Sequence, residues 1–198
     1  MKKGILLMFA LVTTGVFAQG TVSVGVGGLF DYSPNGDLLG SINRDRVSTN
    51  NLSFGGFGFL NFKYVELDVS FAHGSLTAVY EDTKNKKEAG SILQLGFDLL
   101  FKIPFDPGGP VLIFPLLGFD YNMVLAGDGD SGFNQIGAML GVGVDYLINF
   151  PFFIRAEAFL HARLPGMGIL ASTLYGSEEN PAFFSGGPRV KVAIGYSF

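Results

Sequence analysis

The chain has 198 residues, no cysteine, 29 glycines and a formal net charge of −4; charged residues make up only 15% and mean hydropathy is +0.38. A disulfide framework is excluded, the acidic balance offers no basic patch for nucleic acid, and the charged share is well below the about 25% of an average globular chain. Past the N-terminal segment no apolar run reaches the ~18 residues that a membrane helix requires, so the hydropathy is spread over short segments.

The N-terminus reads as a secretory leader. Lys2 and Lys3 are followed by an apolar stretch, 4–12, and by small residues at Val16 and Ala18, the pattern of a cleavage site after Ala18. The apolar stretch is too short for the about 20 residues of a spanning helix. Cleavage leaves 19–198 as a single domain of 180 residues; the leader carries two lysines and no acid, so the mature charge is −6. Export excludes the cytoplasm and leaves periplasm, outer membrane and medium.

Eight segments of about ten residues then alternate with period 2. In 21–32, Val22, Val24 and Val26 oppose Ser23, Gly25 and Gly27; in 52–62 aromatics alternate with glycine, and Gly55-Gly56 suggests a bulge. In 64–74, Val65, Leu67, Val69 and Phe71 oppose Glu66, Asp68 and Ser70; in 91–102, Leu93, Leu95, Phe97, Leu99 and Phe101 oppose Gln94, Gly96, Asp98 and Lys102. The second half repeats the pattern. In 111–122 the polar face holds Asp120 and Asn122, in 133–146 Gln135 and Asp145, and in 152–163 Arg155, Glu157, His161 and Arg163. The last segment, PRVKVAIGYSF, sets Val190, Val192, Ile194, Tyr196 and Phe198 against Lys191, Ala193, Gly195 and Ser197.

The links alternate in length. They are short near Lys63, at 103–110 and at 147–151, and long at 33–51, 75–90, 123–132 and 164–187. Short turns at one end and long loops at the other are the pattern of outer-membrane barrels. The fold class expected is therefore all-β: an eight-stranded antiparallel up-and-down transmembrane barrel. A soluble sandwich or a lipocalin-like barrel shares the periodicity but turns its apolar face inward. Glycine and charges of both signs on the polar face favour lipid outside. With no tryptophan, interface anchoring falls to Tyr32, Tyr80, Tyr121 and Phe183 at the outer side and Phe101, Phe105, Phe150 and Phe198 at the inner.

These features resemble the small eight-stranded outer-membrane barrels of bacteria: the OmpA transmembrane domain, OmpX and OmpW. The resemblance is architectural and spans the mature chain. Its one motif is the C-terminal strand, where Val190, Val192, Ile194, Tyr196 and Phe198 look like the signal read by the barrel assembly machinery. The resemblance implies that the last strand closes on the first, that outer-membrane lipid and that machinery are partners, and that the chain resides in the outer membrane. No OmpA-type cell-wall domain is expected after Phe198.

The inward face gathers Glu66, Asp68, Asp98, Lys102, Asp120, Asp145, Arg155, Glu157, His161, Arg163 and Lys191. An eight-stranded barrel leaves room for little but side chains, so these are expected to pair into a plug; a narrow pore is the functional alternative. Leu112, Phe114, Leu116 and Phe159 share that face, as a passage for small hydrophobic solutes would require. His73 and Ser75, two apart on the outward face, resemble the His-x-Ser dyad of lipid A deacylases with Glu81 as a third group, but without that family's flanking pattern. Asp128 and Asp130 begin like a calcium loop, yet Met139 stands where its closing glutamate belongs. No catalytic residue, cofactor or metal site is therefore expected. The role expected is structural or surface interaction with an extracellular ligand or host surface through 33–51 and 164–187. A solute passage is the alternative and a lipid-modifying enzyme a third.

Overall fold

A computed structural model describes residues 22–37, 47–80, 86–107, 109–126, 132–149, 151–165 and 183–198. They form β1 (Val22–Asp37), β2 (Val47–Phe62), β3 (Val65–Tyr80), β4 (Lys86–Lys102), β5 (Val111–Ala126), β6 (Gly132–Asn149), β7 (Phe152–Pro165) and β8 (Phe183–Ser197). Sequence neighbours pair antiparallel, and β8 returns to β1 to close the barrel. The Phe198 N–H donates to the Val22 carbonyl at 2.9 Å, so the seam is paired to its end.

The alternation has one sense throughout. Val26 is 71% exposed, Leu160 68% and Ile194 61%, all on the outer surface, while the charged side chains of the same strands are buried inside. A soluble barrel would show the reverse. An apolar exterior around a polar interior is the arrangement that lipid requires.

The strands run 14 to 18 residues rather than about ten. Their loop-side ends, such as Leu76–Tyr80 of β3 and Lys86–Gly90 of β4, extend the ladder beyond the apolar band. About ten residues suffice to cross the hydrocarbon, so the extra pairs lie outside it, where period-2 hydropathy is no longer imposed. The long connections shrink accordingly to 38–46, 81–85, 127–131 and 166–182. The leader, Glu81, Asp128, Asp130 and Phe150 lie outside the described residues, as do the side chains of Tyr80 and Phe183.

No bulge forms at Gly55-Gly56, where pairing with β1 and β3 is continuous. A Cβ on Gly55 would strike the Phe71 carbonyl and the Ala72 backbone, so this glycine serves close strand approach instead. Register shifts occur at Leu76/Thr77 and at Leu147/Asn149. The first sits opposite Gly90, whose φ of 118° no branched residue adopts easily.

Gly27 makes the same close approach at the closing seam, where a Cβ would meet the Val192 carbonyl and the Ala193 backbone. Backbone cannot swing aside as a long side chain can. Gly27→Ala is expected to cost about 1–3 kcal/mol through overpacking, read as a lower urea midpoint of the refolded barrel. A neutral result would mean that the seam relaxes freely.

Candidate functional site: the charged lumen

All eleven expected lumen residues are buried, none more than 7% exposed. The register explains their arrangement. Asp68 faces Asp98 across β3–β4, and Asp98 faces Asp120 across β4–β5, so three acids stand in a row on neighbouring strands. Like charges directly opposite repel, and the row is tolerable because the far wall supplies cations from β7 and β8.

Lys191 donates to Asp98 at 2.7 Å and also to Asp68. Arg189 reaches Asp98 at 3.1 Å and Asp31 at 2.6 Å. Arg163 donates to Asp120 and, at 3.1 Å, to Asp31. Nearer the short turns, Arg155 forks onto Asp145 with two bonds of 2.7 Å and donates also to Glu66, which accepts from Lys102 at 2.8 Å. The network thus spans the lumen from wall to wall. Glu157 alone among the expected carboxylates makes no hydrogen bond.

Aromatic rings floor these cations. The Arg155 guanidinium lies 4.4 Å from the Phe59 ring centre, 5.2 Å from Phe153 and 5.3 Å from Phe114. Lys191 lies 5.1 Å from both Phe57 and Phe159. The rings belong to two buried apolar clusters, one around Phe57, Phe59 and Phe153, the other around Leu100, Phe114, Leu116, Met139 and Phe159. Leu112 packs against the second. The inward apolar residues therefore fill space between the ion pairs, and cation–π attraction stabilises the charges they surround.

Sequence reasoning missed Asp31, Ser33 and Arg189, although parity carried them: Asp31 continues the Ser23 face and Arg189 the Lys191 face. Phe57, Phe59 and Phe153 were also missed as lumen residues, because an aromatic in a strand reads as lipid-facing.

His73 lies exposed on the outer surface, with Ser75 half-buried two residues on. A different trio meets inside. The Ser33 hydroxyl lies 3.0 Å from His161 Nε2 and donates to Asp31. These are the residue types of a hydrolytic triad in the wrong order. The serine proton is committed to the aspartate, and His161 Nδ1 has no partner to orient the ring. A base held by its far nitrogen, as nucleophile activation needs, is not formed.

Among solved structures the chain is similar to the outer membrane protein OprG of Pseudomonas aeruginosa, at 15% identity and a TM-score of 0.55 over 90% of this chain and 96% of that one. It is also similar to Neisserial surface protein A (15%, TM-score 0.48, 90% and 99% covered) and to Ail of Yersinia pestis (14%, TM-score 0.42, 90% and 99% covered). No protein-family model and no curated protein matches the sequence. The likeness to OprG is one of fold: the chain is a small eight-stranded barrel of the outer-membrane type, and its exposed apolar belt is the surface that lipid requires.

Proposed function

We propose that the barrel is a closed scaffold whose work is done at the cell surface by the long connections, chiefly 38–46 and 166–182. The observation that supports this is the lumen itself. Among the described residues, ion pairs bridge the walls at successive levels, and aromatic clusters fill the space between them. A pore needs a continuous wet path, and a network in which the buried cations are bound on several sides opposes one. Loops held on such a rigid frame are suited to binding.

The test is conductance of the mature chain in a planar bilayer, after a heat-dependent gel shift has established that the barrel is folded. The expected result is silence. Discrete steps in the wild type would overturn the closed-scaffold reading in favour of a solute passage. In parallel, cells producing the chain with 38–46 and 166–182 exchanged for short linkers are compared with the wild type for attachment to an epithelial monolayer. Attachment should fall while the gel shift persists, and equal attachment would count against the surface role.

A further inference from the structure

Glu157 sits on β7 directly opposite Lys191 of β8, yet the two do not bond. Lys191 spends its hydrogen bonds on Asp68 and Asp98. Arg155 Nε is the nearest other cation to Glu157, at 4.0 Å, and its hydrogen goes to Asp145. Both carboxylate oxygens of Glu157 are therefore buried without a hydrogen-bond partner, on a side chain only 2% exposed. A bare buried carboxylate is strongly unfavourable.

Its surroundings make the arrangement more pointed. Glu66, Asp68 and Glu157, all buried, each offer a carboxylate oxygen within 4.8 Å of the others. Glu66 and Asp68 divide their oxygens. Glu66 Oε2 takes Lys102 and Arg155, and Asp68 Oδ2 takes Lys191. Glu66 Oε1 and Asp68 Oδ1 are left without partners, as are both oxygens of Glu157. The resident cations thus take one oxygen each of Glu66 and Asp68, and the other four oxygens of these three clustered carboxylates have no hydrogen to accept.

Charge points the same way. The described buried residues include seven carboxylates (Asp31, Glu66, Asp68, Asp98, Asp120, Asp145 and Glu157) and five lysines and arginines (Lys102, Arg155, Arg163, Arg189 and Lys191). With His161 neutral and every other group ionised the formal excess is two negative charges, the amount one divalent cation cancels. An all-oxygen set selects a hard cation. Calcium binds oxygen at about 2.3–2.6 Å in flexible geometry, so ligand atoms on opposite sides of it stand up to about 5 Å apart. Magnesium demands about 2.0–2.1 Å and near-ideal octahedral placement, which carboxylates fixed on two walls meet less readily.

We propose that Glu66, Asp68 and Glu157 form a calcium site inside the barrel, cross-linking β3 to β7. The ion supplies the partner that Glu157 lacks and ties opposite walls together at the level of the Arg155 and Lys191 ion pairs.

The test uses the full mature chain refolded in zwitterionic detergent free of lipopolysaccharide, stripped with EGTA and desalted. Calcium chloride is then titrated calorimetrically, and the urea midpoint is measured in calcium and in EGTA for the wild type and for Glu157→Gln. Saturable binding of one calcium per barrel is expected, together with a higher midpoint in calcium. Glu157→Gln should lose both effects while keeping the folded gel mobility. The two proteins should also exchange rank. Without calcium the variant, relieved of a bare carboxylate, is at least as stable as the wild type; with calcium the wild type is the more stable. Absence of saturable binding to the wild type overturns the proposal. So does a variant more stable than the wild type in both buffers, which would mean that Glu157 is satisfied by a proton. The wild-type titration decides even if the variant fails to refold.

Discussion

Arg189→Ala should lower the unfolding free energy of the refolded barrel by about 3–5 kcal/mol, the usual consequence of removing one partner from a buried ionic network. Arg189 joins three of the seven buried acids. Two of its N–H groups reach Asp31 at 2.9 and 2.6 Å, a third reaches Asp98 at 3.1 Å, and Asp120 lies 3.9 Å away. It is also the register partner of Asp31 across the β1–β8 seam, so the same bond neutralises charge and fastens the closure. Without it Asp31 retains Arg163, and Asp98 retains Lys191. The acids then share too few cations. Arg189→Lys should recover part of the loss, because a lysine keeps the charge but cannot fork between two carboxylates. Asp31→Asn placed on Arg189→Ala should cost less than on the wild type, since the residues are coupled. Denaturant midpoints and the temperature of the gel-shift transition read all four variants against the wild type. A loss below about 1 kcal/mol, typical of an exposed pair, would show that water reaches this level of the lumen.

The architecture was legible because one physical rule governs the whole chain. Lipid outside and side chains inside force a period of 2, and the even count of segments with alternating link lengths closes the ladder without an edge. The extent of the strands was not legible. Leu76–Tyr80 pairs with β2 beyond the apolar band, where hydropathy carries no instruction. The lumen was legible as a set of residues but not as a network. Parity places Asp68, Asp98 and Asp120 on one face, but only the register lines them up as adjacent like charges that need β7 and β8 opposite. Asp145 and Arg155 are ten residues apart in sequence, and Asp31 and Arg189 are 158 apart. No local pattern links the second pair, because the seam joins the two ends of the domain. Phe57 and Phe59 were obscured for another reason. An aromatic suits lipid and suits the face of a cation equally well, and composition does not separate the two.

Arg155 offers the sharper distinction between charge and shape. Arg155→Ala should cost about 3–5 kcal/mol, and Arg155→Lys should restore less than half of it. A lysine at this site keeps a positive charge near Glu66 but loses the parallel pair of bonds to Asp145, which faces Arg155 in the β6–β7 register. It also loses the guanidinium's close approach to the rings of Phe59, Phe114 and Phe153. Charge-assisted forks and desolvated cation–π contacts each contribute about 1.5–3 and about 2 kcal/mol, so geometry accounts for much of the total. Asp145→Asn should cost less than Arg155→Ala, because Arg155 retains Glu66 and no cation is orphaned, whereas loss of Arg155 leaves Glu66 with Lys102 alone and Asp145 without its fork. Urea titrations of the three variants provide the ranking. Were Arg155→Lys to match the wild type, the aromatic floor would be filler, and the stability of this end of the barrel would rest on the sign of the charge alone.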